Sequence, residues 1–227
     1  MYKAYIFDLD GTLADTIKSI AYTANRTLEY FGYQPHKESD YNYFVGDGAP
    51  VLIERALKAA GDTDCKDYEK VLKKFREFFR KDSLYQVKAY SGIPEALEVI
   101  KNRGYKIAVL SNKPHDNTID VVKFLFGNDY FDYVKGHTQD VPKKPNPQGA
   151  LLIAEELGIK PEECIYVGDT NTDMQTGNSA QMYTVGVLWG FRDRKELEDN
   201  FAKCIITEPE ELLTLQILDK NESEGEK

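Results

Sequence analysis

Short apolar runs bounded by turn residues alternate along most of the chain with stretches that repeat at helical spacing. This alternation is typical of a parallel β-sheet with helices packed on its faces, because each parallel connection needs a crossover helix. The apolar runs predict strands at residues 5–7, 106–110, 131–134, 165–167, 184–188 and 204–206. We therefore expect an α/β fold with a parallel sheet at its centre.

Two predicted helices have recognisable ends. Residues 93–101 predict a helix that stops at Gly104, where a left-handed residue can close it. A later helix is expected to open at Asn146 and Pro147, because Asn suits the cap and Pro suits the first turn. Gly158 is expected to end that second helix.

The interval between the first two predicted strands breaks this alternation. Residues 9–104 are too many for one crossover, so a second unit must be inserted there. Apolar residues recur at helical spacing in its middle, at Leu52, Ala56, Ala60, Val71, Phe75, Phe78 and Phe79. The expected boundaries are 1–15 and 85–227 for the core, 16–84 for an all-helical inserted domain, and 85–90 for the linker that returns to the core. The almost wholly polar residues 219–227 are expected to fray.

Composition and charge narrow the class of protein. The 227 residues are 41% hydrophobic, enough for one good core and a second, smaller one. The net charge of -9 repels phosphate backbones and anionic lipid headgroups, so nucleic acid and membranes are poor partners. Cys65, Cys164 and Cys204 form no CxxC pair, which favours free thiols in a reducing compartment. No apolar run is long enough for a membrane span, and the N-terminus reaches Asp8 too soon for a signal peptide. We therefore expect a soluble cytoplasmic protein, a monomer or a weak homodimer.

Two pairs of carboxylates follow predicted strands. Asp8 and Asp10, in DLDGT, come directly after the first strand, and in extended chain they point to the same side. Asp169 and Asp173, in GDTNTD, follow the strand at 165–167, and a helix beginning at that turn would place them on one face. Each pair alone also fits a helix cap beside a solvated acid. Because carboxyl ends of parallel strands meet at one sheet edge, we expect the two pairs to converge there.

Such a cluster of carboxylates needs a counter-charge. Like charges about 4 Å apart repel by roughly 4 kcal/mol at an effective dielectric of 20. Oxygen donors with room for substrate oxygens favour Mg²⁺ over Zn²⁺, which prefers histidine and thiolate ligands that these motifs lack. The sequence therefore predicts a magnesium site at this edge of the sheet.

A hydroxyl and a cation follow two other predicted strands. Ser111 and Asn112 come after the second predicted strand, and Lys144 stands in VPKKPNP after the third. A hydroxyl and a fixed ammonium are what the equatorial oxygens of a transferring phosphoryl group require. Taken singly, Ser111 also fits a helix cap, and Lys143 or Lys144 fits a solvated surface charge. Their order along the chain favours a phosphoryl-transfer site.

Together these motifs resemble the haloacid dehalogenase superfamily, and within it the phosphoglycolate phosphatase group with a helical cap. DLDGTLADT, SNK at 111–113, KPNP at 144–147 and GDTNTDMQTGNSA are similar to the four motifs of the family, and the match spans nearly the whole chain. The resemblance implies a Rossmann-like core with an inserted helical cap domain and a phosphatase activity that depends on Mg²⁺.

The resemblance also implies a role for each matching residue. Asp8 would be the nucleophile that forms an aspartyl-phosphate, and Asp10 would be the general acid and base. Ser111 and Lys144 would hold the phosphoryl group, with Lys144 favoured over Lys143 because it precedes the Pro of the motif. The implied metal-binding residues are Asp8, Asp169 and the backbone carbonyl of Asp10, with Asp173 supporting the metal from close by.

Two segments resemble phosphoglycolate phosphatases in particular, FVGDGAPVLIERAL at 44–57 and GVLWGFR at 186–192. They imply a cap that closes over a small phosphomonoester with an anionic leaving group. Phosphoglycolate is the first candidate, with pyrophosphate and small sugar phosphates as alternatives. The residues expected to contact the substrate are Thr12, Asn112, Gly46, Asp47 and Gly48, and the cations expected to bind the leaving group are Arg55, Lys58 and Arg192.

Three other activities share parts of this pattern. A dehalogenase uses the same nucleophile without Mg²⁺, but it has no use for Asp10 or Asp169. A phosphomutase keeps all of these residues and differs mainly in the cap, so it stays an alternative. A non-catalytic switch phosphorylated on Asp8 is opposed by Asp10, whose hydrolytic role would shorten the life of the phosphorylated state. The sequence therefore favours a phosphatase that acts on a small metabolite.

Overall fold

The computed structural model describes residues 1–215. Its strands, in chain order, are β1 (Ala4–Phe7), β2 (Ala14–Asp15), β3 (Lys88–Ala89), β4 (Lys106–Pro114), β5 (Tyr133–His137), β6 (Cys164–Gly168), β7 (Tyr183–Val187) and β8 (Cys204–Ile206). Its α-helices are α1 (Ile17–Tyr30), α2 (Tyr41–Phe44), α3 (Ala49–Ala59), α4 (Tyr68–Asp82), α5 (Ile93–Asn102), α6 (His115–Phe126), α7 (Gln148–Glu156), α8 (Asn171–Ser179) and α9 (Arg194–Asp199). Short 3-10 helices lie at Glu38–Asp40, Pro161–Glu163 and Pro209–Leu213. The segment 219–227, expected to fray, lies outside the described residues.

Six strands form one parallel sheet in the order β5-β4-β1-β6-β7-β8, which confirms the predicted fold class. The chain runs from β1 to β4 and β5 on one side and then returns to β6 on the other. At the end of β1, Phe7 is in register with Val109 of β4 and with Val167 of β6. Open parallel sheets bind ligands where the strand order reverses in this way, at the carboxyl ends of the strands. The ends of β1, β4 and β6 are therefore the place where a site is expected.

The central strands are buried on both faces of the sheet. Tyr5 and Phe7 pack into the hydrophobic cluster on one face, and Ala4 and Ile6 pack into the cluster on the other. This double burial is why the strand sequences are continuous apolar runs and not an alternation of apolar and polar residues. Each large side chain fully buried in this way contributes about 1.5–3 kcal/mol to stability.

The six predicted strands correspond to the six strands of the parallel sheet, but some of their ends are shifted. β5 begins at Tyr133, two residues later than predicted, and β4 continues as far as Pro114. The pairing of β4 with β5 shifts register after Leu110. Ser111 and Asn112 therefore belong to the last residues of β4 and do not follow it, as had been predicted.

Both helices with predicted ends are present. Gly104 and Gly158 follow α5 and α7 with φ of +86° and +65°, the left-handed conformation expected of them. The start of α7 differs by one residue, because Pro147 occupies the cap position. The side chain of Asn146 still accepts the N–H of Gln148 at 2.9 Å, so it satisfies one of the free donors at that end of the helix.

Helices α1 to α4 fill the long interval after β1, and we call residues 16–84 the cap. They enclose a separate hydrophobic cluster built around residues such as Leu28, Ile53 and Phe75. Of the apolar positions predicted at helical spacing, Leu52, Ala56, Val71, Phe75 and Phe79 are buried, Ala60 follows the end of α3, and Phe78 is half-buried. Among residues 1–215, no helix has both the length and the apolar character needed to cross a membrane.

A short antiparallel pair joins the two connections between cap and core. Ala14 of β2 pairs with Ala89 of β3, and Asp15 pairs with Lys88, where the chain leaves the core and where it returns. The residues expected to form only a return linker, 85–90, therefore include a strand. Two-residue strands are too short to show a periodic pattern, which is why the sequence did not predict them.

Candidate active site

Three buried carboxylates meet at the carboxyl ends of β1 and β6. Asp8 follows β1 directly, and its N–H donates to the carbonyl of Val167 at 2.9 Å. Asp169 follows β6, and Asp173 lies in the first turn of α8. One oxygen from each carboxylate lies within 4.8 Å of the others. The structure thus brings these three residues together, as their positions after the strands had predicted.

Glycines make room for this cluster. A Cβ on Gly11, which has φ +87°, would lie 2.3 Å from Oδ2 of Asp169. A Cβ on Gly190 would lie 2.3 Å from the Cβ of Asp169. Any side chain at either position would displace Asp169, so the close approach requires glycine there.

Burial and mutual repulsion raise the pKa values of two of these acids. For Asp8 the causes are burial and then the charge of Asp173, and they outweigh the opposing charge of Lys144. Burial and Asp173 also raise the pKa of Asp169 to about 7. This occurs although Asp169 accepts hydrogen bonds from the N–H of Phe191 at 2.8 Å and from the hydroxyl of Thr12 at 3.1 Å. The cluster is therefore short of positive charge.

The donor set of this cluster fits a divalent cation. Oδ1 of Asp8 is buried, and its partner is Nζ of Lys144 at 2.7 Å. Three buried carboxylates around one ammonium keep an excess of negative charge, which agrees with the raised pKa values of Asp8 and Asp169. Carboxylate oxygens are the donors that hard divalent cations prefer. Asp8, Asp169 and Asp173 are therefore the residues suited to hold such a metal.

Lys144 is buried between two of the carboxylates. Its Nζ lies 2.7 Å from Oδ1 of Asp8 and 2.7 Å from Oδ1 of Asp173. Burial alone would lower its pKa, but the charges of Asp173 and Asp8 outweigh burial and raise it well above the ordinary value. The structure thus places Lys144, and not Lys143, against Asp8 as a permanently charged ammonium.

Asp173 uses both of its oxygens within the protein. Oδ1 accepts from Lys144, and Oδ2 accepts the N–H of Thr170 at 3.1 Å and its hydroxyl at 2.7 Å. The second pair of contacts completes the capping box at the start of α8. Asp173 therefore positions Lys144 and begins a helix, in addition to its place beside the other two acids.

Asp10 lies next to this cluster and lines a cavity between core and cap. Its Oδ1 accepts the hydroxyl of Thr16 at 2.6 Å and the ammonium of Lys113 at 2.7 Å. Among residues 1–215, no group donates to its Oδ2. One carboxylate oxygen is thus fixed while the other is free to exchange a proton. Lys113 was not predicted, although its place two residues after Ser111, in SNK, is a signal that could have indicated it.

Ser111 and Asn112 line the same cavity but differ in what they contact. The Ser111 hydroxyl oxygen accepts the N–H of Lys113 at 3.2 Å, which leaves its proton available to another acceptor. The Asn112 side chain donates to the carbonyls of Gly46 and Lys144, each at 3.1 Å, and accepts the Lys144 N–H at 2.9 Å. Asn112 therefore ties the cap to the Lys144 loop.

Thr12 and Asp47, both expected to contact the substrate, lie outside the lining of the cavity. Thr12 is fully buried, and its hydroxyl donates to Asp169. Asp47 accepts the hydroxyl of Thr172 at 3.1 Å and pairs with Arg55 at 2.7 Å. Thr12 therefore orients Asp169, and Asp47 fastens the cap to the core.

The flanking glycines of that cap turn do reach the cavity. Gly46 and Gly48 line it with φ of +112° and +85°. Gly48 also stands at the start of α3. The part of the GDG turn that faces the cavity is therefore backbone without side chains.

The three cations expected to bind a leaving group are engaged elsewhere. Arg55 pairs with Asp47, and Lys58 pairs on the surface with Glu54 at 2.6 Å. Arg192 donates to the carbonyls of Asn42 and Val45 and pairs with Glu196 at 3.0 Å. These contacts brace the cap and the loop after β7, and none of the three cations lines the cavity.

The cavity has a volume of about 380 Å³. Its cap side is apolar, with Leu52, Phe75 and Phe79 among the lining residues, and α4 adds two arginines, Arg76 and Arg80. Enclosed pockets with an apolar wall and a few convergent polar groups are typical of small-molecule sites. The remaining lining residues include Asp116, Asn117 and Asp120 of α6.

Comparison with known sequences agrees with this geometry. Residues 5–187 match the family model described as haloacid dehalogenase-like hydrolase. A phosphoglycolate phosphatase from Aquifex aeolicus is 32% identical over 213 residues, which cover 94% of this chain and 96% of that protein. One from Neisseria meningitidis serogroup A is 31% identical over 202 residues, covering 88% of this chain and 86% of that protein.

Solved structures share the fold. A haloacid dehalogenase-like family hydrolase from Streptococcus pneumoniae superposes with a TM-score of 0.84 at 22% identity, covering 94% of this chain and 97% of that one. A β-phosphoglucomutase from Clostridium difficile superposes with a TM-score of 0.75 at 20% identity, covering 99% of this chain and 98% of that one. With the family model matching most of the chain, the protein belongs to the haloacid dehalogenase-like hydrolases.

Proposed function

We propose that the protein is a Mg²⁺-dependent phosphatase that hydrolyses a small phosphomonoester through an aspartyl-phosphate on Asp8. The observation that carries this proposal is the carboxylate of Asp8, which lines the cavity 2.7 Å from the buried ammonium of Lys144. Such a pair suits a nucleophile that must meet an anionic phosphate. Because relatives along nearly the whole chain are named phosphoglycolate phosphatase, phosphoglycolate is the first candidate substrate.

The metal would be held by Asp8, by Asp169 and by the backbone carbonyl of Asp10, with Asp173 beside them. When bound, Mg²⁺ supplies the positive charge that offsets repulsion between a phosphate and the carboxylates. Thr12 and the N–H of Phe191 keep Asp169 in place through their hydrogen bonds to its two oxygens.

In the first step a carboxylate oxygen of Asp8 attacks phosphorus, and the bond from phosphorus to the leaving-group oxygen breaks. Lys144 holds the non-bridging oxygens of the phosphoryl group as its negative charge redistributes. The Ser111 hydroxyl donates to another of these oxygens, since its own oxygen is already bonded to the Lys113 N–H.

Asp10 handles the protons in both steps. Its unpartnered Oδ2 gives a proton to the departing oxygen, and it then takes a proton from the water that attacks the phosphorus of the aspartyl-phosphate. That attack releases inorganic phosphate and restores the Asp8 carboxylate. Thr16 and Lys113 bind Oδ1 in both steps, so the orientation of the carboxylate is fixed before it exchanges a proton.

The test is a panel of phosphoglycolate, pyrophosphate and small sugar phosphates assayed with Mg²⁺, with and without EDTA. We expect phosphate release that EDTA abolishes and Mg²⁺ restores, while Ca²⁺ fails because its looser coordination spoils the in-line approach. Full activity in EDTA would contradict the metal-dependent mechanism. Isomer formation faster than phosphate release would instead identify a phosphomutase.

The same panel ranks the substrates. We expect the highest kcat/KM for phosphoglycolate, because in a small enclosed cavity the negative charge of the leaving group must be bound by groups of the protein. A preference of about tenfold or more for another compound, roughly 1.4 kcal/mol of transition-state binding, would reject phosphoglycolate and leave the phosphatase intact.

A further inference from the structure

Arg76 of the cap and Lys143 of the core have no acidic partner among residues 1–215. Arg76, on α4, lines the cavity, and Lys143 lies beside Gly48, one of its lining residues. Lys143 lies in the connection from β5 to α7, and its ammonium is 3.0 Å from the point that a Cβ on Gly48 would occupy. Within residues 1–215, neither cation makes a hydrogen bond or an ion pair.

The two charges act on each other. Burial lowers the pKa of Lys143, and the neighbouring guanidinium of Arg76 lowers it further. Asp47 opposes this effect, but it is already paired with Arg55 at 2.7 Å. Two nearby like charges, one of them half-buried, raise the free energy of the empty site, and an anion between them would remove that cost.

Two other cations near the cavity are paired, since Lys144 and Lys113 are each bound to a carboxylate at 2.7 Å. Arg80 lines the cavity one turn further along α4 and, like Arg76, makes no hydrogen bond or ion pair among residues 1–215, but the lining also includes two acids, Asp116 and Asp120. Arg76 is the arginine whose charge perturbs Lys143. Arg76 is therefore the arginine of α4 that acts on the same region as Lys143.

We propose that Arg76 and Lys143 form a second anion subsite, which binds a carboxylate or phosphate of the substrate's leaving group. The inference rests on the proposed function in one respect: it places the scissile phosphate against Asp8. It narrows the substrate class to phosphate esters that carry a second anionic group. Because Arg76 belongs to the cap and Lys143 to the core, an anion bound to both also links the two across the cavity.

Non-hydrolysable phosphonates separate this proposal from catalysis. The probes are 3-phosphonopropionate, its longer homologue 4-phosphonobutyrate, propane-1,3-bisphosphonate, and the uncharged-tail analogue 3-hydroxypropylphosphonate. Dissociation constants are measured by titration calorimetry on the full chain with Mg²⁺. We expect the best probe with a second anion to bind about tenfold or more tightly than the hydroxyl analogue, the gain typical of a charge-assisted contact. Preference for the carboxylates or for the bisphosphonate identifies which anion the subsite takes.

Variants locate the subsite. In Arg76→Ala and in Lys143→Ala we expect the preference to fall severalfold, and in the double variant to disappear. Lys81→Ala is the matched control, since it removes a charge from the exposed part of the same helix away from the cavity and should keep the full preference. A preference that persists in the double variant overturns the proposal, as does a wild type that binds every probe equally while remaining an active phosphatase. Failure of all probes to bind would overturn the subsite, while the assay of phosphate release with Mg²⁺ and EDTA decides the proposed function separately.

Discussion

At the ends of the strands, Asp8, Asp169, Asp173 and Lys144 are buried and held by short contacts. Arg76, on the cap side of the cavity, is instead exposed and has no ion-pair partner among residues 1–215. We call the first group the floor, and the α4 residues that line the cavity the cap wall. The charges of the floor are thus buried and held by contacts within the protein, whereas the charges of the cap wall are exposed and, among residues 1–215, unpaired.

This difference in burial and pairing separates two tasks of the site, catalysis and the choice of substrate. Burying the charges of the floor costs several kcal/mol per ion, and the cost is tolerated because fixed charges need no reorganisation during the reaction. The exposed residues of the cap wall are free of such partners, so they can adapt to a leaving group. We therefore expect substitutions in the floor and beside it to affect turnover, and substitutions in the cap wall to affect the choice of substrate.

The largest effect is expected at the floor, from Asp8→Asn. An amide is a poor nucleophile toward phosphorus, so turnover should fall below detection in an assay of phosphate release. Folding should survive, because the change removes one of the mutually repelling buried charges. Asp64→Asn, at an exposed position, serves as the control and should retain activity. Near-normal turnover by Asp8→Asn would refute the covalent mechanism.

A smaller loss is expected from Asp10→Asn, beside the floor. Removing a general acid and base should cost about 10²- to 10⁴-fold in kcat. KM should change little, since in the proposed mechanism Lys144 and Ser111 hold the phosphoryl group. The check is a comparison of kcat and KM on the same ester. A loss confined to KM would assign Asp10 to binding instead of proton transfer.

Lys113 lies between floor and cap wall, because it contacts Asp10 beside the floor and Phe79 of the cap wall. Its ammonium lies 2.7 Å from Oδ1 of Asp10 and 5.0 Å from the centre of the Phe79 ring on α4. Lys113→Met should lower kcat about tenfold by releasing Asp10, the scale of one charge-assisted hydrogen bond. Lys113→Arg should recover most of the loss. If Lys113→Met changed only the folding midpoint and not kcat, the contact with Asp10 would be structural alone.

The last expected effect is one of stability and not of turnover. The pKa of Asp169 is raised to about 7 from an ordinary 3.8, so the folded state binds its proton more tightly than the unfolded state does. The stability from this residue is complete below pH 4 or so and is lost as the pH rises through about 7, a change on the order of a few kcal/mol. In EDTA the midpoint of thermal unfolding should therefore fall between about pH 5 and about pH 8. Asp169→Asn should flatten this dependence, whereas an equally steep fall in that variant would assign it to other groups.

The acidic residues of the site could be predicted because their signal is local. Asp8 and Asp10 follow one buried strand, and Asp169 follows another. Because parallel strands end at one edge of the sheet, the sequence alone predicted that these residues lie close together. Lys144 was favoured by its place in a motif. The cap was predicted from the length of the insertion and its helical spacing, without any knowledge of how it packs.

What the sequence by itself determined, then, was the strand order along the chain, the inserted cap and the acids at the strand ends, since each depends on neighbours a few residues apart. The tertiary structure alone decided which cation meets which anion. Lys113 reaches Asp10 across 103 residues of sequence, and Asp47 is held by Thr172 across 125. Packing between elements also left Arg76 and Lys143 without an ion-pair partner among residues 1–215. Such pairings depend on distances between elements, and no spacing within one element encodes them.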